Sequence, residues 1–276
     1  MISNDKTKDE RKNHMQVVIL AGGFGTRISE ESHLKPKPMI EIGGMPILWH
    51  IMKNYSAHGF NEFIICCGYK QQFIKDFFND YFLHSSDVTF DFTNSTNRMK
   101  VHKTYTEQWK VTVADTGLNT MTGGRIKRIK KYLKPDEPFL MTYGDGLADI
   151  DLNALVEFHK SHGKLATLTV VDAGQRFGVI KMNKDSNRIT SFREKRASDG
   201  NPINGGFMVL DPKVIDYIDG DETVFERNPL EKLSRDGELM GYYHDGFWQC
   251  MDTKKDCDTL EEIWKSGNAP WKKWVD

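Results

Sequence analysis

Residues 16–28 read QVVILAGGFGTRI, in which an unbroken apolar run, 17–20, leads into three glycines and an arginine. Consecutive apolar residues are typical of a strand that is covered on both faces, as in the parallel sheets of α/β proteins. Ligands of such sheets bind beyond the carboxyl ends of the strands, commonly where the first strand turns. The stretch therefore predicts the first strand of an α/β sheet and, directly after it, a loop that binds a ligand.

The rest of the chain alternates strand-like and helix-like segments. Strands are predicted at VVIL (17–20), EFIICC (62–67), VTVAD (111–115), FLMTY (139–143), LATLTVV (165–171) and GGFMVL (205–210). Amphipathic helices are predicted at 46–59, 71–82 and 151–163, the last with Asp151 as its N-cap and Gly163 as its end. The alternation predicts an α/β fold, a single doubly wound, mostly parallel (Rossmann-like) sheet. A hairpin at 176–195 begins a smaller, less regular C-terminal part.

Composition limits the classes of partner. The 276 residues are 38% hydrophobic and 28% charged, and 38 Lys and Arg nearly balance 39 Asp and Glu. This is the balance of an ordinary globular protein and gives no reason to expect nucleic acid or a membrane as partner. Residues 1–14 are charged and aperiodic, which predicts a mobile N-terminal extension before a single domain at 15–276.

The cysteines and the apolar runs bear on location. Cys66, Cys67, Cys250 and Cys257 form no CxxC pair, so we expect reduced, buried thiols. No apolar run is long enough to span a bilayer, and the polar N-terminus lacks the core of a signal peptide. We therefore expect a cytoplasmic protein.

The glycine loop suits a phosphate ligand. Gly22, Gly23 and Gly25 would let backbone N–H groups approach phosphate oxygens, and Arg27 adds a planar, permanently charged fork. The segment KPKP (35–38) holds a second cation, Lys37, between two stiff prolines. The dinucleotide fingerprint GxGxxG fails at Ile28, which disfavours a dehydrogenase, and no Walker loop is present. A tight structural turn with an exposed arginine is the alternative interpretation.

Several motifs together resemble one family. LAGGFGTR (20–27) followed by KPKPM (35–39) resembles the sugar-1-phosphate nucleotidylyltransferases. Further motifs resemble the cytidylyl branch of this family. They are EIGGMPILWHIM (41–52), FIICCGYK (63–70), DTGLNTMTGGRIKR (115–128), TYGDGLAD (142–149), INGGF (203–207) and GFWQCMDT (246–253). The resemblance covers about residues 15 to 274. It implies a nucleotide-binding half at about 15–150 and a sugar-binding and C-terminal part at about 151–276.

The resemblance also implies a reaction. A sugar 1-phosphate, glucose 1-phosphate in this branch, would attack the α-phosphorus of CTP with Mg²⁺ as cofactor, giving CDP-glucose and pyrophosphate for O-antigen-type glycans. The family is commonly homo-oligomeric, and the Trp-rich tail at 264–274 would suit docking on a neighbouring subunit. Two alternatives remain open: a cytidylyltransferase for another sugar or small-molecule phosphate, and a catalytically silent regulatory paralogue.

Two carboxylates are candidate metal ligands. Mg²⁺ prefers one or two carboxylates together with phosphate oxygens and waters. Asp145 directly follows a predicted strand, and Asp252 precedes a predicted helix. Their spacing cannot pair them, but the family's two magnesium ligands fall on these positions. The alternatives are a turn residue in Gly-Asp-Gly for Asp145 and a helix N-cap for Asp252.

By resemblance the catalytic residues are Arg27, at the leaving pyrophosphate, Lys37, at the α-phosphate, and Asp145. The nucleotide contacts are Leu20, Ala21, Gly22, Gly23, Gly25, Thr26, Arg27, Lys37, Thr120 and Arg125. Gly123 and Gly124 open a predicted helix, so we expect free N–H groups there beside Arg125.

The sugar phosphate would be held by Gly178, Glu194, Lys195, Asn204 and Gly205. Glu194 and Lys195 stand in the place of the family's FxEKP, although Arg196 replaces its proline.

Overall fold

The structure is a computed structural model that describes residues 15–28, 34–93, 98–172, 179–183, 186–193 and 202–275. Its strands are β1 (Gln16–Ala21), β2 (Glu41–Ile42), β3 (Met45–Pro46), β4 (Glu62–Cys67), β5 (Ser86–Asp91), β6 (Arg98–Thr104), β7 (Lys110–Asp115), β8 (Phe139–Tyr143), β9 (Gly146–Ala148), β10 (Ala166–Val171), β11 (Val179–Asn183), β12 (Arg188–Arg193), β13 (Ile203–Leu210), β14 (Leu239–His244) and β15 (Trp248–Cys250). The α-helices are α1 (Ile47–Ala57), α2 (Gln71–His84), α3 (Thr122–Arg128), α4 (Leu152–His162), α5 (Asn228–Arg235) and α6 (Lys254–Lys265). Short 3₁₀ turns include Thr26–Ile28 and Lys37–Met39.

A nine-stranded sheet in the order β10-β14-β12-β11-β13-β8-β1-β4-β7 forms the centre of the described chain. The run β8-β1-β4-β7 is parallel throughout. β13 is antiparallel to β8, and β12 is antiparallel to β11 and β14. All other strands of this sheet point the same way. The prediction of a mostly parallel α/β sheet is therefore confirmed, and its strands come from both the N-terminal and C-terminal parts of the chain.

The apolar run of β1 supplies two cores, one on each face of the sheet. Val17 and Ile19 pack in one cluster with residues of α1, α4 and α6, whereas Val18 and Leu20 pack in the other with residues of α3 and α5. Successive side chains of a strand point to opposite faces. A strand with helices on both sides must therefore be apolar at every position, which is why the sequence does not alternate here.

Helix ends follow the sequence signals. Asp151 caps α4 by accepting a hydrogen bond from the backbone N–H of Ala154 at 3.0 Å, and Gly163 ends that helix with φ 63°. The predicted hairpin is formed by β11 and β12. A second hairpin, β5 with β6, forms a separate two-stranded sheet that was not predicted. The four cysteines are buried free thiols, as expected.

The Trp-rich tail packs within its own chain. Trp271 is fully buried, and the rings of Trp264 and Trp274 surround His50 of α1 together with it. The indole of Trp264 lies so close to Gly43 that a Cβ there would be 1.9 Å from its nitrogen. The expectation that this tail docks on a neighbouring subunit is therefore wrong for Trp271. No helix of the described residues has the length and apolarity needed to cross a membrane.

Candidate active site

A cleft of about 530 Å³ opens at the carboxyl ends of β1 and β8. Its walls are the loop after β1, the turn that carries Lys37, the segment before α3 and the turn after β8. The residues that line it are Leu20, Ala21, Gly22, Gly23, Phe24, Gly25, Thr26, Lys37, Pro38, Leu118, Asn119, Thr120, Met121, Thr122, Arg125, Tyr143, Gly144, Asp145 and Glu222. Most of the residues predicted to contact a nucleotide therefore meet in one place.

The three glycines of the first loop differ in their surroundings. A Cβ on Gly22 would lie 2.2 Å from Nη1 of Arg125, whereas nothing lies within 4 Å of the corresponding point at Gly23. Gly25 has φ 66°, a conformation that side-chain-bearing residues rarely adopt. Gly22 thus has no room for a side chain, Gly25 has a backbone conformation that favours glycine, and Gly23 has open space where a side chain would lie.

Arg27 lies in the 3₁₀ turn that follows this loop. The structure describes its backbone, while its side chain falls outside the described part. Its assignment to the leaving pyrophosphate stays a prediction.

Lys37 is held in a fixed backbone. Pro36 enters the 3₁₀ turn with φ −65°, Pro38 lies within it, and both the turn and the lysine are buried. The lysine Nζ lies 2.5 Å from Oδ2 of Asp145 and 2.6 Å from Oδ1 of Asp252. Burial disfavours the charged ammonium, but the two carboxylates outweigh it and raise the pKa of Lys37 above its usual value. Lys37 therefore remains a cation in the site.

A short two-stranded sheet brings the two aspartates together. Asp145 lies in the turn between β8 and β9, and β9 pairs with β15 in the register Gly146 to Cys250. The backbone N–H of Met251 donates to the carbonyl of Asp145 at 2.8 Å. This pairing places Asp252 beside Asp145, although the two are far apart in the chain.

The N-cap interpretation of Asp252 is wrong. The N-cap of α6 is Thr253, which forms a capping box with Asp256. Asp256 also accepts from the backbone N–H of Asp252 at 3.1 Å. The capping box therefore fixes the backbone of Asp252 and leaves its carboxylate directed at Lys37.

The donor set fits a divalent cation. The ammonium of Lys37 is a cation that both carboxylates already share, so their oxygens converge on one positive centre. Two carboxylates completed by phosphate oxygens and waters match the preference of Mg²⁺. No group of three or more acidic, histidine or cysteine side chains suited to a metal occurs within the described residues. A site with only two protein ligands therefore depends on its ligand's phosphates.

Arg125 lines the cleft but is buried, and its guanidinium donates mainly to backbone carbonyls. Its Nη1 donates to the carbonyls of Cys67 and Gly117 and to Oγ1 of Thr116, at 3.1, 2.8 and 2.8 Å. Its Nη2 donates to the carbonyls of Gly22 and Leu118, at 2.9 and 3.3 Å. The guanidinium thus joins three loops at the ends of β1, β4 and β7, and its direct contact with a nucleotide stays a prediction.

The expected free N–H groups at the start of α3 are not there. The N–H groups of Gly123 and Gly124 both donate to the carbonyl of Thr223, at 2.9 and 3.3 Å. That prediction is wrong, because sequence cannot show that a distant loop covers the helix start. Thr120, also predicted to contact the nucleotide, is buried and lines the cleft.

Asn204 and Gly205, two of the residues predicted to hold the sugar phosphate, lie at the start of β13. Oδ1 of Asn204 accepts from the N–H of Gly206 at 2.8 Å, and Trp248 Nε1 donates to the carbonyl of Gly205 at 2.7 Å. Gly206 has φ 82°, and a Cβ there would lie 2.6 Å from the ring of Tyr143. Asn204 and Gly205 are thus adjacent to a residue of the cleft. Gly178, Glu194 and Lys195 lie outside the described residues.

Sequence reasoning missed a hydrogen-bonded chain across the cleft. The hydroxyl of Tyr143 donates to Oε1 of Glu226 at 2.5 Å, and Oγ1 of Thr122 donates to Oε2 at 2.6 Å. Burial, together with Glu226, raises the pKa of Tyr143 well above its usual value, so the phenol stays protonated. Tyr143 could have been found, since it ends a parallel strand two residues before Asp145. No local signal marks Glu226.

Known proteins share this sequence and fold. The family model described as nucleotidyl transferase matches residues 16–253. A glucose-1-phosphate cytidylyltransferase of Salmonella typhimurium is 57% identical over 260 residues, covering 94% of this chain and 100% of the relative. A probable glucose-1-phosphate cytidylyltransferase of Bacillus subtilis is 46% identical over 261 residues, with the same coverage. The crystal structure of HddC from Yersinia pseudotuberculosis superposes with a TM-score of 0.71 at 25% identity, covering 91% of this chain and 99% of that one. The chain therefore belongs to the nucleotidyl transferase family.

Proposed function

We propose that this protein transfers a cytidylyl group from CTP to α-D-glucose 1-phosphate, giving CDP-glucose and pyrophosphate. The observation that carries the proposal is the meeting of Lys37, Asp145 and Asp252 at the cleft beside the glycine loop. High identity to glucose-1-phosphate cytidylyltransferases over nearly the whole chain supports the choice of both substrates.

The reaction requires little covalent chemistry from the protein. An oxygen of the sugar phosphate forms a bond to the α-phosphorus of CTP, the bond from that phosphorus to the bridging oxygen breaks, and its electron pair leaves with pyrophosphate. The attacking oxygen is already anionic, so no general base or enzyme nucleophile is needed. Catalysis then consists of alignment and of neutralising crowded negative charge.

The charged side chains divide this work. Lys37 would bind the α-phosphate, and Arg27 would bind the leaving pyrophosphate. Asp145 and Asp252 would hold Mg²⁺, which when bound supplies further neutralisation of the phosphate charge. The glycine loop, with Leu20, Ala21 and Thr26, would enclose the nucleotide opposite Thr120.

The acceptor sugar would lie on the other side of Tyr143. We assign Asn204 and Gly205 to this subsite, together with Glu194 and Lys195, which stand in the place of the family's FxEKP, and Gly178. The small and polar residues of this subsite would leave room for a pyranose, and Lys195 would bind the phosphate of the sugar. We also propose that the protein is a homo-oligomer, as the family resemblance implies, and that it lies in the cytoplasm, as its free buried cysteines favour.

Pyrophosphate release tests the proposal directly. The protein would be given CTP, UTP, dTTP or ATP, each against a panel of sugar 1-phosphates and small phosphorylated alcohols. We expect release to be fastest with CTP and glucose 1-phosphate and to require Mg²⁺. Turnover with CTP and a different acceptor, but none with glucose 1-phosphate, would overturn the assignment of the sugar. No release with any pair would favour a silent regulatory paralogue.

A further inference from the structure

The ammonium of Lys37 lies between the two carboxylates that would hold a metal. Its Nζ is 2.5 Å from one and 2.6 Å from the other, and the side chains are 11% exposed for Lys37, 26% for Asp145 and 5% for Asp252. A cation in this position uses an oxygen of each carboxylate. Lys37 and a divalent ion therefore compete for the same two side chains.

The backbone of Lys37 is too constrained to move the ammonium away from the two carboxylates. The turn is buried, has proline on both sides of the lysine, and is closed by hydrogen bonds from Met39 N–H to Pro36 carbonyl and from Ile40 N–H to Lys37 carbonyl. Only rotation of the lysine side chain can therefore move the ammonium. Lys35, in the same segment, instead pairs with exposed Glu41 at 2.6 Å and faces no metal ligand.

Charge decides when the ammonium can move. The formal charges of Lys37, Asp145 and Asp252 sum to −1. A divalent ion added to the same buried site would give a net positive charge and place two cations a few ångströms apart, where their repulsion is strong. A triphosphate changes this balance, because its oxygens offer the ammonium a new anionic partner and the metal additional ligands.

We propose that Lys37 excludes divalent metal from Asp145 and Asp252 until the nucleotide arrives, so that metal and triphosphate bind as a unit. The lysine acts as a placeholder for the metal in the nucleotide-free protein and as a phosphate ligand afterwards. This inference rests on the proposed function, since it assumes that a triphosphate is the ligand that withdraws the ammonium.

Manganese binding to the nucleotide-free protein tests the inference without any turnover. Free Mn²⁺ is measured by electron paramagnetic resonance during titration of the wild type, Lys37→Met and Lys35→Met. We expect Lys37→Met to bind Mn²⁺ at least tenfold more tightly than the wild type, because its carboxylates have lost their cation. The matched Lys35→Met should bind like the wild type.

Further variants define the site and guard against misfolding. Lys37→Met combined with Asp145→Asn should lose the added affinity, which assigns it to the carboxylate pair. If Lys37→Met does not fold, Lys37→Gln serves in its place, and Mn²⁺ should raise its melting temperature more than that of the wild type. Equal Mn²⁺ affinity in the wild type and the Lys37 variant overturns the inference, as does an added affinity that survives Asp145→Asn. Neither result depends on which nucleotide or sugar the protein uses, so the proposed function is tested separately by pyrophosphate release.

Discussion

Because Arg125 is buried and binds three loops, replacing it should lower the stability of the protein. A residue that only bound the nucleotide would not have this effect. The two terminal nitrogens of Arg125 make five hydrogen bonds, four of them to backbone carbonyls in the loops at the ends of three strands. In Arg125→Met these acceptors lose a charged donor. The loops at the ends of β1, β4 and β7 should then be held less firmly, even without any ligand bound, although the backbone bonds from Tyr69 N–H to Gly22 and from Thr116 N–H to Cys67 remain.

The cost can be bounded. A hydrogen bond to a charged group contributes about 1.5–3 kcal/mol, and the five bonds share one guanidinium, so their contributions are far from additive. Removing the buried charge also removes its desolvation cost. We therefore expect Arg125→Met to lower the free energy of unfolding by about 3 kcal/mol. The matched variant is Arg128→Met, three residues further along the same helix, whose ion pair with Asp221 is exposed and should contribute little to stability.

Urea unfolding of the nucleotide-free proteins measures this difference. The unfolding midpoint of Arg125→Met should fall well below those of Arg128→Met and the wild type, and the KM for CTP should rise because the glycine loop has lost its support. If Arg125→Met is as stable as Arg128→Met and differs only in its KM for CTP, the guanidinium is a ligand of the nucleotide. Its role as a link between loops would then be wrong.

Three further predictions concern the same region and the core. Asp145→Asn should fold, but its Mg²⁺-dependent turnover should fall by on the order of 10²-fold or more. Asp149→Asn, in the same motif, should stay active. Equal rates of pyrophosphate release by the two variants would refute the metal role of Asp145. Gly22→Ala should lower stability by about 1–3 kcal/mol because its Cβ would lie 2.2 Å from Arg125, whereas Gly23→Ala meets open space and should be neutral; similar unfolding midpoints would exclude the clash. Burial lowers the pKa of His50 and of His159 to about 4 from 6.5, so the unfolded chain binds more protons between these values and stability should fall as pH drops from 6.5 towards 4. At pH 5 each histidine should cost about 2 kcal/mol, and a loss that is undiminished in His159→Gln would contradict that assignment.

The parallel half of the fold was predictable because its strands carry their own signal. Helices cover both faces of β1 and β4, so these strands are apolar at consecutive positions and can be recognised locally. The hairpin of β5 and β6 has largely exposed side chains on both faces and no such pattern. It was missed for that reason.

The site was predictable in its parts but not in its contacts. The glycine loop, Lys37 and Asp145 each carry a local motif, and β9 with β15 then supplies the long-range pairing that spacing could not. The bonds from Arg125 to carbonyls and the cover of Thr223 over α3 depend on loops distant in the chain. No local pattern encodes such contacts, so the expected helix-start phosphate site was wrong.

The most direct test of the account is the position of a metal ion relative to Lys37. Crystals of the protein with CTP and Mn²⁺ would locate the ion by its anomalous scattering. We predict a strong peak between the carboxylates of Asp145 and Asp252, with the ammonium of Lys37 withdrawn from at least one of them and bound to phosphate. A nucleotide in the cleft with Lys37 still bridging both aspartates, and the ion bound elsewhere, would contradict the account.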